Sequence, residues 1–227
     1  ENDLGQGEWQ AMLRQLTAAN FHIDSIGRKK ATWIIESGTL TDLHIRSSLL
    51  LNLRELAKEN KGFHLQHLSG HYKDSNHLFH WQNVAYSKSS RTISLDSFSY
   101  RPAADKETFI KNSRYQNDYL HIQSGKINMG PFDLDRFIKD SVIHIGHIKI
   151  NGFRLTDFRD TRLPRDPTII RPLLVNTVKK INTPVQIDST ALAGGEVSYA
   201  ELNQKTGQTG TIHVNRLSGL LLNIKNL

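Results

Sequence analysis

The stretch Ile143-His144-Ile145-Gly146-His147-Ile148-Lys149-Ile150-Asn151-Gly152-Phe153-Arg154-Leu155 decides the fold class. Its apolar residues come in alternating pairs, Ile143/Ile145, Ile148/Ile150 and Phe153/Leu155, with an odd step between one pair and the next. Alternation marks a half-buried strand. A side-chain period of two cannot absorb an odd step unless the strand bulges, bends or changes layer. The same break occurs twice upstream. Ile93 and Leu95 are followed out of phase by Phe98 and Tyr100, and Leu120 and Ile122 by Ile127 and Met129. Three copies of one parity break predict a bent strand used repeatedly.

Short helical pieces separate the copies. Pro102 to Arg114 carries Phe109 and Ile110, and Pro131 to Asp140 carries Phe132, Leu134, Phe137 and Ile138. Pro167 to Ile181 holds an apolar stripe at helical spacing, Ile169, Ile170, Leu173, Leu174 and Val178. Proline is tolerated in a first helical turn, and a period of roughly 25 to 45 residues is the range of stacked repeats. Towards the carboxyl end, Val185 to Leu192 and Gly195 to Leu202 read as strands, Asn203 to Gly207 as a polar turn, and Thr211 to Ile224 as the last strand. In the first third, Trp9 to Leu16 reads as a short helix. Phe21 to Ile26, Ala31 to Ile35, Leu40 to Leu53 and Phe63 to Leu68 read as strands, with Leu49 to Ala57 open to a helix. His77 to Tyr86 and Arg91 to Tyr100 complete the strands. The expected fold is mostly β (α+β): an elongated, curved antiparallel sheet of repeated bent strands with short interspersed helices. Residues 1–75 form the amino-terminal β-rich portion of the same elongated unit, and 76–227 the repeated strand units.

Composition narrows the function. The chain has 227 residues, 37% of them hydrophobic, a low share for a compact globule that predicts a thin core. No apolar run approaches the roughly 18 residues of a spanning helix. The chain opens on Glu1 with no signal segment in view, so the expectation is a mature or cut fragment with its signal or anchor upstream. Cysteine is absent, which excludes disulfides, thiol catalysis and Cys-based zinc sites. A net charge of +7 favours anionic partners such as phosphate-bearing lipids, lipopolysaccharide or nucleic acid, but Arg28-Lys29-Lys30 is the one tight basic cluster, as on an ordinary solvated surface.

Histidines raise a metal reading. His64, His67, His71, His77 and His80 lie close in sequence, and imidazole nitrogens with a carboxylate can hold zinc. Gly62, Ser69 and Gly70 argue against the helix that would align them, and polar positions on a solvated sheet face are the simpler use. Asp133/Asp135 and Asp157/Asp160 are neighbours within one segment, whereas a hydrolase needs carboxylates on facing elements. The run Asp157-Phe158-Arg159-Asp160-Thr161-Arg162 reads as a salt-bridged turn at a strand rim. Ser189 lacks a glycine-flanked elbow, Gly194-Gly195 lacks a phosphate-loop lysine, and no nucleic-acid motif is present. Nothing assembles a nucleophile, base and orienter. No catalytic residue, metal ligand or cofactor is therefore assigned, and no nucleic-acid partner is expected.

The segments Ile93-Ser94-Leu95-Asp96-Ser97-Phe98-Ser99-Tyr100-Arg101-Pro102 and Ile143 to Leu155 resemble the strand–step–strand units of AsmA-like envelope proteins, including the TamB-like and YicH-like branches. Val197 to Glu201 and Gly210 to Leu217 are similar to the carboxy-proximal unit of large AsmA-like proteins. The resemblance spans about residues 75 to 227. It implies a non-enzymatic periplasmic segment, anchored to a bacterial membrane by a helix outside this sequence, that binds or conducts lipid along a β-groove in envelope biogenesis. The residues themselves allow the same reading: a curled sheet would leave one greasy side, lined by Ile93, Leu95, Phe98, Leu120, Ile122, Ile127, Ile143, Ile145, Ile148 and Ile150. The stripe Ile170, Leu173, Leu174 and Val178 reads either as core or as a lid over that side. The expected partner is a phospholipid or other anionic lipid. Two alternatives stand beside it: a closed scaffold module that binds protein, and a metal-dependent hydrolase using the His64 to His80 cluster.

Overall fold

Alternating segments become twelve β-strands in one sheet in the computed structural model, which describes residues 9–24, 31–49, 52–60, 62–168 and 182–226. Strands β1 (Gln10–Asp24), β2 (Ala31–Arg46), β3 (His64–Asp74) and β4 (His77–Ser87) form an antiparallel meander. The next six are halves of bent strands. Both β5 (Thr92–Leu95) and β6 (Ser97–Pro102) pair with β4. In turn β7 (Asp118–Ser124) pairs with β6, and β8 (Ile127–Phe132) with β5. Likewise β9 (Ile143–Asn151) pairs with β8, and β10 (Arg154–Asp160) with β7. A single strand, β11 (Val185–Leu202), runs beside both β9 and β10, and β12 (Thr209–Lys225) pairs with its outer side. The described sheet is thus nine long strands side by side.

The bends fall on one line across the sheet. Asp96 N–H donates to Gln82 O at 3.0 Å, Gly125 N–H to Asn151 O at 3.0 Å, and Gly152 N–H to Ala193 O at 3.1 Å. Left-handed residues lie along or beside this line in most strands: Asn20 (φ 52°), His67 (54°), Asn83 (51°), Gly152 (62°), Gly194 (65°) and Arg216 (57°). Such a residue reverses the in-out alternation, and Gly and Asn adopt it at least cost. This is the physical content of the odd step at Ile150/Phe153, whereas at Leu95/Phe98 and Ile122/Ile127 the ladder breaks at Asp96 and Gly125 without a left-handed residue. The step Ile145/Ile148 sits instead at Gly146, where an added Cβ would lie 2.7 Å from Pro131 Cδ.

Among the described residues three short α-helices join strands: α1 (Leu53–Glu59), α2 (Lys106–Asn112) and α3 (Leu134–Asp140). Each has a side-chain cap, Asn52, Asp105 or Asp133, accepting from the N–H of Glu55, Thr108 or Arg136. The chain is mostly β, as the patterning predicts, with corrections in detail. Trp9 to Leu16 is not a helix but enters β1, which pairs with β2 along its length. Ala31–Ile35 and Leu40 onward are one strand, as are the two segments of β11. The pairing of β9 and β10 with β11 is parallel, so the sheet is mixed. The stripe Ile170 to Val178 lies outside the described residues.

Packing is thin. Among the described residues the buried apolar side chains are Ile145, Phe158 and Val185. The chain exposes 15679 Å², against roughly 10,500 Å² for a compact monomer of its mass.

Candidate functional site

Residues facing each other across a ladder carry their side chains to the same side. Two rows follow from the registers, and each crosses all nine strands. The first reads Leu16, Leu40, Leu65, Tyr86, Ile93, Met129, Ile148, Thr190, Leu221. The second reads Ile23, Trp33, Tyr72, Phe79, Tyr100, Ile122, Leu155, Val197, Val214. In every strand the two members are seven residues apart, an odd number that would place them on opposite faces of a regular strand. The left-handed residue, bulge or ladder break between them restores them to one face. Two contacts show this: a Cβ on Gly195, in phase with the second row, would lie 3.3 Å from Leu192 Cδ2, in phase with the first. A Cβ on Gly38 would meet Leu68 Cδ1 at 3.1 Å and Ile35 Cγ2 at 3.9 Å, again across the bend. One side of the sheet is therefore an apolar floor running from edge to edge.

The floor deepens at its aromatic end. Trp33 and Tyr72 rings lie 4.6 Å apart, Tyr72 and Phe79 5.8 Å, Phe79 and Tyr100 4.9 Å, and Phe79 and Phe98 6.2 Å. Trp33, Tyr72, Phe79, Trp81 and Phe98 wall a cleft of about 300 Å³, the lower end of the range for ligand sites. Gly70 lies between Ile35 and Trp81 in the ladder, and its missing side chain leaves room for the Trp81 ring. At the opposite end Tyr86 meets Phe63 at 5.6 Å and Phe132 at 6.3 Å, and Phe132 meets Phe137 of α3 at 6.1 Å. Lys88 pairs there with Asp135 at 3.0 Å.

A few polar groups interrupt the floor. Tyr86 Oη, Ser124 Oγ, Asp157 Oδ1 and Thr190 Oγ1 are buried without a hydrogen-bond partner. Burial pushes the Tyr86 phenol up to about 12, with the nearby Asp135 and Asp133 charges adding to it. Burial first, then the charge of Asp118, raises the Asp157 carboxyl above its usual range. Tyr199, opposite Asp157 in the ladder, donates to Glu201 Oε2 at 2.7 Å and is pushed up to about 12, chiefly by burial. Such groups can meet ester, hydroxyl or ammonium groups of a molecule lying on the floor.

Most of the expected lining comes together here. Ile93 and Ile148 belong to the first row and Ile122 to the second; Leu95, Ile127 and Ile150 form a short row of their own with Leu192. Phe98 stands between Trp81 and Ser124, and Leu120 opposite Asp157. Ile143 and Ile145 lie at the start of β9, beside Val185 and Phe132, away from the open stretch. The aromatic wall Trp33, Tyr72, Phe79 and Trp81 escaped the sequence reading. Its signal is the seven-residue spacing shared by Leu65/Tyr72, Phe79/Tyr86 and Ile93/Tyr100.

The histidines divide between β3 and β4. His71 faces His80 across the ladder, with Glu36 Oε1 3.1 Å from His71 Nδ1 and 4.0 Å from His80 Nε2. Among the described residues no group of three or more His, Asp or Glu is arranged to hold a metal ion. In the run from Asp157 to Arg162, Arg162 pairs with Asp160 at 2.7 Å and Arg159 with Asp118 at 2.6 Å. No described helix is long and apolar enough to cross a membrane. Comparison with protein families, curated proteins and solved structures finds no match to this chain.

Proposed function

We propose that the apolar floor binds the acyl chains of a phospholipid, and that the chain is a non-enzymatic lipid-binding segment of a bacterial envelope protein. The observation that carries this reading is the pair of apolar rows reaching both edges of the sheet without a described element lying over the aromatic half. Each methylene laid on such a surface contributes about 0.8 kcal/mol, so a few methylenes outweigh an exposed ion pair at roughly 0 to 1 kcal/mol. The net charge of +7 suits an anionic headgroup at the rim. The resemblance to AsmA-like envelope proteins points the same way, and on this reading the segment is periplasmic and held by an anchor elsewhere in the protein. Phosphatidylglycerol carrying brominated acyl chains tests the proposal, because bromine quenches indole emission on contact. Trp33 and Trp81 emission should fall on titration, and Phe79→Asp should weaken the effect at least tenfold. Unchanged emission, together with no phospholipid in native mass spectra after extraction from membranes, would overturn it.

A further inference from the structure

Among the described strands both rows end at open edges. Among the described residues nothing pairs with the outer side of β1 or of β12. These strands are 15 and 17 residues long and lack the usual protection of an edge: neither contains proline, and their fixed charges are Arg14 and Asp24 in β1, Arg216 and Lys225 in β12. Apolar side chains stand out from both, Leu16 at 52%, Phe21 at 53% and Ile23 at 46% exposure, and Val214 at 44% and Leu221 at 62%. We propose that copies of this chain join head to tail, the β1 edge of one against the β12 edge of the next, making one continuous sheet. Strand direction allows it. Tracing the ladder from β1 through four antiparallel steps to the bent strands and across the parallel step leaves β12 opposite in direction to β1. A neighbour added by translation therefore meets β12 antiparallel with the same face up. Register allows it too. Pairing Leu16 with Leu221 of the next copy also pairs Ile23 with Val214, because both separations are seven residues. Both apolar rows then run on unbroken, and the left-handed residues Asn20 and Arg216 fall one position apart, so the bend line continues. The contact is heterologous, so it extends into a filament unless it closes on itself.

The absence of cysteine makes the register directly testable. Facing strand residues have Cα atoms about 4.5 to 5.5 Å apart, within the span a disulfide bridges. Leu16→Cys mixed with Leu221→Cys should give a disulfide-linked heterodimer on mild oxidation, as should Ile23→Cys with Val214→Cys. The off-register mixture of Leu16→Cys and Val214→Cys should not. All four positions are solvent-facing, so the folded strand content by circular dichroism should be unchanged. By sedimentation the unmodified chain should gain mass with concentration, and Phe21→Lys should abolish the gain. Homodimers from Leu221→Cys alone would mark a two-fold β12–β12 pairing and overturn the head-to-tail arrangement. Equal cross-linking in and out of register overturns it, and so does a monomer at every concentration, which would leave the β12 edge to a different polypeptide.

Discussion

Single residues set what the floor can tolerate. Gly70 is the narrowest point: a Cβ there would lie 2.2 Å from Ile34 O and 3.0 Å from Trp81 Cζ2. Backbone on one side and an indole on the other leave no cheap direction of relief, and overpacking of this kind costs about 1 to 3 kcal/mol. Gly70→Ala should therefore lower the urea midpoint by the equivalent of about 2 kcal/mol and alter Trp81 emission; an unchanged midpoint would show that the β2–β3–β4 stack is looser than described. Asp74 governs the adjacent turn. Its carboxylate accepts from Asn76 N–H at 2.8 Å and His77 N–H at 2.7 Å, and from Tyr72 Oη at 3.0 Å. The Asn76 N–H bond foremost, with the bonds from His77 and Tyr72, holds this carboxyl well below the usual range, against an opposing effect of burial that is second in size only to the Asn76 bond. A depressed folded pKa gives stability that is complete above the unfolded value of about 3.9 and lost as pH falls from there towards the folded value. The destabilisation by Asp74→Asn should accordingly be larger at pH 6 than at pH 3, read from urea midpoints at the two pH values. Equal losses at both would remove Asp74 from the acid response.

At the scale of elements, the strand halves were legible because their apolar pairs recur on either side of an odd step. Leu95/Phe98 and Ile122/Ile127 need only the period-two rule to imply a bend, and the bend is where the ladder breaks. Strand direction was not legible. Alternation in β9, β10 and β11 is the same whether neighbours run parallel or antiparallel, so the parallel step could not be read from Ile143 to Leu155 or from Val185 to Leu202. The first strand misled for a different reason. Ala11, Met12, Leu13, Arg14, Gln15 and Leu16 are good helix formers one by one, yet thirteen cross-strand pairs with β2 override that local preference. Helices, in contrast, carried local signatures. Asp105 caps α2 by accepting from Thr108 N–H at 2.9 Å and Thr108 Oγ1 at 2.8 Å. That helix brings Lys106 Nζ to 3.5 Å from the centre of the Phe158 ring and Phe109 to 5.4 Å from Tyr119. Asp105→Ala should cost about 1 kcal/mol. The Tyr119 and Phe158 amides should exchange faster while those of β3 stay unchanged. Uniform acceleration would mean that α2 supports the whole sheet rather than its own corner.

The molecule as a whole is a layer with two unequal sides, and its thermodynamics should show it. Aromatic and aliphatic rows occupy one side, while Glu36, His71, His80, Arg154 and Glu196 lie out of phase with them on the other. Denaturant sensitivity scales with the surface exposed on unfolding. A chain already presenting 15679 Å² when folded has less left to expose, and the shortfall against a compact domain of equal length is about a fifth. The urea m-value and the heat-capacity change of unfolding should both be lower by about that fraction in dilute, lipid-free solution. Adding phosphatidylglycerol vesicles should then raise stability as the logarithm of lipid concentration, by about 2.7 kcal/mol at one hundred times the dissociation constant. Raising protein concentration without lipid should do the same through the edges if copies join. The two effects separate: Phe79→Asp removes the first and spares the second, whereas Phe21→Lys, at the edge of the same floor, removes the second. An m-value already equal to that of a compact domain at the lowest concentration would mean that the floor is sealed within one molecule, and both the lipid proposal and the open-edge proposal would fall with it.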